Sequence, residues 1–476
     1  MKRSRIILYF SLYIFLYTTL VSGVSLTGAE VLSIVEQQRM YYADMLALTL
    51  GFFSAGFFVE KYRERQSLFV DVFCVLAAIA LVGIYFFPDR LFFLYYVPLA
   101  VYGTGFMGGL AYYKTALGIR LFSKGGFIVA ASQAAAFILQ YFLQFQADVP
   151  LLLCAVSVSG YLFFALLTKG FGMEIEKKYM AFISGTERAP EERVPEASKA
   201  FAFRLCLITA GSIALAAFFD NWLERRMTES ALTGELSAFS WPRLILIPVF
   251  LVCGLIFDRW GEKLLSVVVF CVDLISVLII LLLKSGQAQI ILCLFYVLVS
   301  AVSAWYQIMF LHRSPDSKLP ALWAVMGRLI DGGITLFLAL FSVSLLPAAL
   351  ATAVALVVLI VILVCMILNG YFAFGVDSPE RDAKAQETEN VSKASTPSER
   401  ETFSRKLDAF SLQYELTLRE KDVLKALTQS EKPLTKVAAE LEISRTMLYR
   451  YLNRIYEKTG LSSREELAGA LKDPKE

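Results

Sequence analysis

The chain has 476 residues, 57% of them hydrophobic and only 18% charged, with a mean hydropathy of +0.61. That charged share lies below the ~25% usual for soluble domains, and a formal net charge of +3 argues for no partner by itself. One histidine and seven cysteines without a CxxC pair exclude histidine-based triads, a disulfide framework and a zinc site, so no metal, no cofactor and no enzymatic constellation is expected.

Apolar runs of about 20 residues, each long enough to cross a bilayer as a helix, recur from the start. They fall at roughly 6–24, 42–59, 67–87, 91–112, 126–147, 150–168, 203–219, 241–257, 264–283, 288–311, 320–342 and 347–369. The first follows Lys2, Arg3 and Arg5 and has no A-x-A-like site after it, which favours an uncleaved helix over a signal peptide. Alternate loops carry Lys61, Arg63 and Arg65, then Lys114, Arg120 and Lys124, then Arg259 and Lys263, then Arg313 and Lys318. By the positive-inside rule these loops are cytoplasmic, and an even span count leaves both termini there. Lys114 is expected to snorkel from its span.

Residues 169–202 form the longest internal polar break. They read as a flexible cytoplasmic connector dividing residues 1–370 into halves 1–168 and 203–370, six spans each. A second polar stretch, 371–409, reads as a flexible cytoplasmic linker.

Two loops of the membrane half look alike. GFFVEKYRER, residues 56–65, follows the second span, and GLIFDRWGEK, residues 254–263, follows the eighth. In each, glycine lets two helices approach closely, and the acid can pair with a base or face a helix N-terminus. A plain charged turn that only sets topology is the alternative. Ionisable residues inside spans are costly and point to function. Asp273 lies near mid-bilayer, Trp305, Tyr306 and Gln307 interrupt the tenth span, and Arg328 and Asp331 sit three apart on one helix face. Together they can line a polar ligand site, or Arg328 and Asp331 can simply satisfy each other while the aromatics pack. Gly105 and Gly109 form a small-xxx-small face suited to helix packing.

Residues 410–476 are of another kind, with four short helices expected. Thr417 and Glu420 form a capping box for the first, which places Val423, Leu424 and Leu427 on one face. TKVAAEL makes the second. Ser444 caps a third that ends at Gly460, and Ser463 and Glu466 cap the fourth. On the third, Leu448, Leu452, Ile455 and Thr459 share the core face at 100° per residue. The other face presents Thr446, Arg450 and Asn453, flanked by Tyr449 and Arg454. Arginine and asparagine read guanine and adenine in the major groove, while Arg445, Arg454 and Lys458 are placed to hold phosphates. A solvated face on a small protein-binding bundle is the alternative.

Two resemblances follow from these motifs. Gly254, Asp258, Arg259, Gly261 and Lys263 match the G-x-x-x-D-R-x-G-x-K loop of the major facilitator superfamily. Gly56, Glu60 and Lys61 make a degenerate copy in which Arg63 replaces the second glycine. In that family such loops hold the cytoplasmic side shut in one state. LTLREKDVLKAL and VAAELEISRTMLYRYLNRIYEKTGLSSREELAGAL resemble the LuxR-type helix-turn-helix domain, with Leu418, Lys436, Tyr449 and Tyr451 departing from its pattern. That resemblance implies Tyr449, Arg450 and Asn453 facing bases, and a homodimer on a palindromic site.

The expected fold is therefore all-α: about twelve transmembrane helices in two six-helix halves, plus a small helix-turn-helix domain. The expected function is a one-component transcription regulator in a bacterial cytoplasmic membrane. Its facilitator-like half would sense a small molecule or a membrane condition, and its tail would bind double-stranded DNA. The alternative is a facilitator-type secondary transporter with a regulatory tail.

Overall fold

A computed structural model describes residues 2–122, 124–144, 150–183, 199–231, 241–282, 288–340, 348–372, 416–429 and 445–461, with a few further positions between 407 and 470. Every regular element among them is helical. The chain divides into two compact units, Met1–Ala373 and Phe374–Glu476.

The first unit contains α1 (Arg3–Val31), α2 (Ile34–Lys61), α3 (Gln66–Phe86), α4 (Val97–Ile119), α5 (Gly125–Gln144), α6 (Pro150–Leu167) and α7 (Met173–Ile183). After these come α8 (Lys199–Ala231), α9 (Leu246–Leu282), α10 (Ala288–Arg313), α11 (Pro320–Leu340) and α12 (Ala348–Leu368). Local signals start and stop them. Ser33 and Glu36 form a capping box at α2. Pro150 and Pro320 take the first position of α6 and α11, where a missing N–H costs nothing. Gly370, at φ +70°, closes α12. Predicted span 241–257 starts on a 3₁₀ turn, Trp241–Ile245, and continues on α9, which also carries span 264–283 as far as Leu282; Gly261 breaks α9 with φ +81° and ψ −177°, so its two limbs meet without an intervening loop.

Nine helices among the described residues are long and apolar enough to cross a membrane. Large apolar side chains such as Val75, Ile79, Leu166, Ile360 and Val364 stay exposed on α3, α6 and α12. That is the surface of a multi-pass membrane protein, whose outer residues meet lipid. The helix α4 lies inside the bundle, where every residue from Gly103 to Ile119 is buried. Gly105 and Gly109 bring it against α2: a Cβ at Gly105 would run into the Leu48 carbonyl, and one at Gly109 into Ala55. The packed pairs recur with the halves exchanged. The second helix of the first half, α2, packs on α11, and the first limb of α9 packs on α5; likewise α1 packs on α5, and α8 on α11.

Two expectations are corrected in this unit. The connector is not flexible from 169: Thr168–Gly172 form a π-helical turn that runs into α7. Ile175 and Glu176 are buried there, and Lys178 pairs with Glu174 one turn back at 3.0 Å. Lys114 does not snorkel. It is 1% exposed and ion-paired with Glu176, which Arg63 also contacts. A buried ammonium needs such a partner, and the α7 carboxylate supplies it where the bilayer surface was expected to. His312, the single histidine, lies in the last turn of α10 with its ring 5.0 Å from that of Phe257.

The second unit contains α13 (Leu418–Gln429) and α14 (Arg445–Thr459). Its core joins Leu407, Phe410, Val423, Leu424, Leu448, Leu452, Ile455 and Leu467. Leu407, assigned from sequence to the linker, is therefore a core residue, and the linker's expected end at 409 is too late. The predicted second helix, with Lys436, and Ser463 lie outside the described residues.

Candidate functional site

The two similar loops make the same kind of contact, one with α11 and the other with α5. A Cβ on Gly56 would sit 3.0 Å from the Leu322 Cα on α11; one on Gly254 would sit 2.5 Å from the Ala130 Cβ and 2.9 Å from the Gly126 carbonyl on α5. Glycine at these positions lets each pair of backbones close up. Four residues later comes the acid. Glu60 Oε1 accepts the Ala321 N–H at 3.2 Å, at the start of α11. Asp258 accepts two N–H groups at the start of α5, from Gly126 at 2.8 Å and Phe127 at 2.9 Å. Each carboxylate thus meets the positive end of a helix dipole and satisfies donors that have no partner within their own helix. The bases that follow turn onto their neighbours' rings, Lys61 over Tyr62 at 5.5 Å and Arg259 over Trp260 at 5.1 Å.

The loops part company three residues after the acid. Gly261 takes its left-handed conformation, whereas Arg63 opens a 3₁₀ turn and reaches Glu176. Glu262 is held bidentately by Arg313 of α10, at 2.5 and 2.7 Å, and Arg313 lies 4.3 Å over the Phe201 ring. Lys263 is exposed. At the same end of the bundle, Arg120, which follows α4, pairs with Asp316, after α10, at 3.2 Å.

A second cluster lies between the halves. Arg328 Nη1 donates to Asp331 Oδ2 at 2.8 Å and to the Tyr306 hydroxyl at 3.2 Å, and that hydroxyl donates to Asp331 at 3.2 Å. The guanidinium lies 5.3 Å from the Tyr17 ring of α1 and 5.9 Å from the Phe52 ring of α2. The Tyr112 hydroxyl of α4 donates to Gln307 Oε1 at 3.0 Å. Tyr306, Arg328 and Asp331 therefore come together. No hydrogen bond among the described residues joins Trp305 or Asp273 to them. The Trp305 indole donates to Ser266 of α9 at 2.8 Å. Asp273 is fully buried, with Ser212 of α8 beside it and neither oxygen hydrogen-bonded among the described residues.

The third candidate is α14. Leu448, Leu452, Ile455 and Thr459 are buried along one stripe, and Asn453 and Arg454 are exposed on the other side. Gly460, at φ +69°, ends the helix with its N–H on the Tyr456 carbonyl at 2.8 Å. Arg445, Thr446, Tyr449 and Arg450 belong to the helix; their side chains lie outside the described residues. The capping box at α13 is present, Thr417 N–H to Glu420 Oε2 at 2.9 Å and Glu420 N–H to Thr417 Oγ1 at 3.4 Å. Lys458, expected on a phosphate, donates to Glu420 Oε2 at 2.7 Å and ties α14 to α13. Burial acts to raise the Glu420 carboxyl, but the bonds from Lys458 and Thr417 outweigh it and hold the group below its ordinary value.

Comparison with known proteins places the chain in no family. No family model matches it, and no curated protein matches it.

Several residues of these sites escaped sequence reasoning. Glu176 was hidden in a polar stretch with no flag beyond its charge. Tyr17, Phe52 and Tyr112 look like ordinary span aromatics, and only the fold brings them to Arg328 and Gln307. The signal for Arg313 and Glu262 was their presence in basic and acidic loop ends, which fixes topology without naming a partner.

Proposed function

We propose that the chain is a membrane-embedded one-component transcription regulator. In this reading, a twelve-span facilitator-like unit with cytoplasmic termini senses a small molecule or a membrane condition in a bacterial cytoplasmic membrane. The C-terminal unit is a LuxR-type helix-turn-helix that binds double-stranded DNA as a homodimer. The observation that carries the reading is α14. A compact unit separate from the membrane helices presents a 15-residue helix with one fully packed apolar stripe and with Asn453 and Arg454 exposed opposite. A recognition helix needs one packed face and one polar face free for the major groove. Tyr449, Arg450 and Asn453 would meet bases, and Thr446, Arg445 and Arg454 the backbone. Lys458 is better placed as a tie to Glu420 than as a phosphate ligand.

The signal then passes through the loop contacts. Ligand that favours one arrangement of the halves shifts the population of closed and open cytoplasmic faces, in proportion to its differential affinity. The test is DNA immunoprecipitation of the full-length protein from its host, beside Asn453→Ala. Discrete sites that vanish in the variant are expected; the same sites in both, or none under several growth conditions, refute the reading.

A second reading, secondary transport with a regulatory tail, is favoured by Asp273. A carboxylate fully buried in a span, with the Ser212 hydroxyl beside it, is suited to carrying a proton across. Uptake into proteoliposomes that Asp273→Asn abolishes would establish it.

A further inference from the structure

Between the halves, the charges of Arg328 and Asp331 are balanced but only half engaged. Every hydrogen bond Arg328 makes among the described residues uses Nη1. The edge formed by Nε and Nη2, the fork that takes a carboxylate side-on with two parallel bonds, makes no hydrogen bond among the described residues. On the other side of the pair, both bonds to Asp331 end on Oδ2, so Oδ1 accepts none among the described residues. Neither group is sealed off: the side chains are 16% and 31% exposed. The guanidinium carbon lies over the rings of Tyr17 and Phe52, 5.3 and 5.9 Å from their centroids, and neither ring takes a hydrogen bond from its N–H groups among the described residues.

The charge count selects the ligand. A simple anion on the Arg328 fork would compete with Asp331 for the same cation and leave a half-buried carboxylate poorly compensated. A simple cation at Asp331 would do the reverse. Breaking a buried pair in this way is strongly unfavourable. A molecule carrying both charges close together gives each side chain a partner and keeps the total at zero. The geometry points to a small zwitterion of the α-amino-acid class, its carboxylate on the Nε–Nη2 edge of Arg328 and its ammonium on Oδ1 of Asp331. Tyr306, donating to Asp331 and accepting from Arg328, fixes the spacing between the two receptors.

This inference rests on the reading of the membrane unit as a small-molecule sensor, and its test involves neither DNA nor transcription. Full-length protein in nanodiscs is titrated calorimetrically with each of the twenty common α-amino acids. For any that binds, the N-acetyl derivative, an anion alone, and the amide, a cation alone, follow. At least one amino acid is expected to bind, with both derivatives at least tenfold weaker. Arg328→Gln and Asp331→Asn should each abolish binding. No binding by any of the twenty, or equal binding by either derivative, overturns the proposal, and the derivative series needs no variant to fold. A zwitterion that binds without altering DNA occupancy would leave this site standing and remove the regulator reading. An inducer that alters DNA occupancy equally in Asp331→Asn would do the opposite.

Discussion

Removing Asp258 should open one end of the membrane bundle far more than removing Glu60. Asp258 receives two backbone N–H groups at 2.8 and 2.9 Å, and a hydrogen bond to a charged group contributes roughly 1.5–3 kcal/mol. Part of that returns as hydration when the face opens, so Asp258→Ala should cost the closed arrangement about 2–3 kcal/mol, on the order of thirty- to 150-fold in population. Glu60 receives one N–H at 3.2 Å from an exposed position. Glu60→Ala should cost about 0.5–1 kcal/mol, roughly two- to fivefold. Spin labels on the exposed residues Lys124 and Lys263, which flank the α5–α9 contact, report the separation by pulsed dipolar spectroscopy. The expected result is a distinct longer-distance population in Asp258→Ala and a slight broadening in Glu60→Ala. An unchanged distribution in Asp258→Ala, or a larger effect in Glu60→Ala, refutes the reasoning that the number and length of these bonds set the closed state.

Three further outcomes follow from particular contacts. Glu176→Gln should lower the melting temperature of the purified protein more than Lys114→Met, because the first strands a 1%-exposed ammonium while the second leaves Glu176 its bond to Arg63; equal losses would count against a shared carboxylate. Gly254→Val should lose folded protein through direct collision with α5, whereas Gly261→Ala meets nothing within 4 Å and should cost about 1–3 kcal/mol through its positive φ alone; circular-dichroism melts of both, with Gly170→Ala as control, separate contact from conformation. Glu420 is held below its ordinary value, so its contribution to the second unit is present above the usual carboxylate range and is lost as pH falls through its lowered value. Glu420→Gln should abolish that acid sensitivity and cost about 1–3 kcal/mol at neutral pH, read by limited proteolysis of the C-terminal unit in the full-length chain.

What the sequence made legible was whatever a single helix decides for itself. The Thr417–Glu420 box, the stripe Leu448–Leu452–Ile455–Thr459 and the stop at Gly460 depend on spacings of three or four residues, and each is present. The pairing of Arg328 with Asp331 is of the same kind. The contacts of Glu60 and Asp258 were legible as a type, an acid facing a helix start, while the helices they face lie 261 and about 131 residues away. Lys114 was misread because span position alone suggests a route to water; Glu176, 62 residues on, removes the need for one. Leu407 was lost for the opposite reason. A lone leucine in a polar run carries no periodicity, and only the pocket formed by α13 and α14 gives it a place.

Glu420 makes one oxygen atom serve two elements. Oε2 receives both the Thr417 N–H that begins α13 and the ammonium of Lys458 in the last turn of α14. Starting the first helix and seating the second are therefore a single event. If α13 frays from its N-terminus, the carboxylate swings away and α14 is released with it. If α14 departs, a buried anion is left at the mouth of α13. The unit should gain and lose order in one step, so hydrogen exchange at the first turn of α13 and at the end of α14 should proceed at the same rate, though 38 residues separate the two groups.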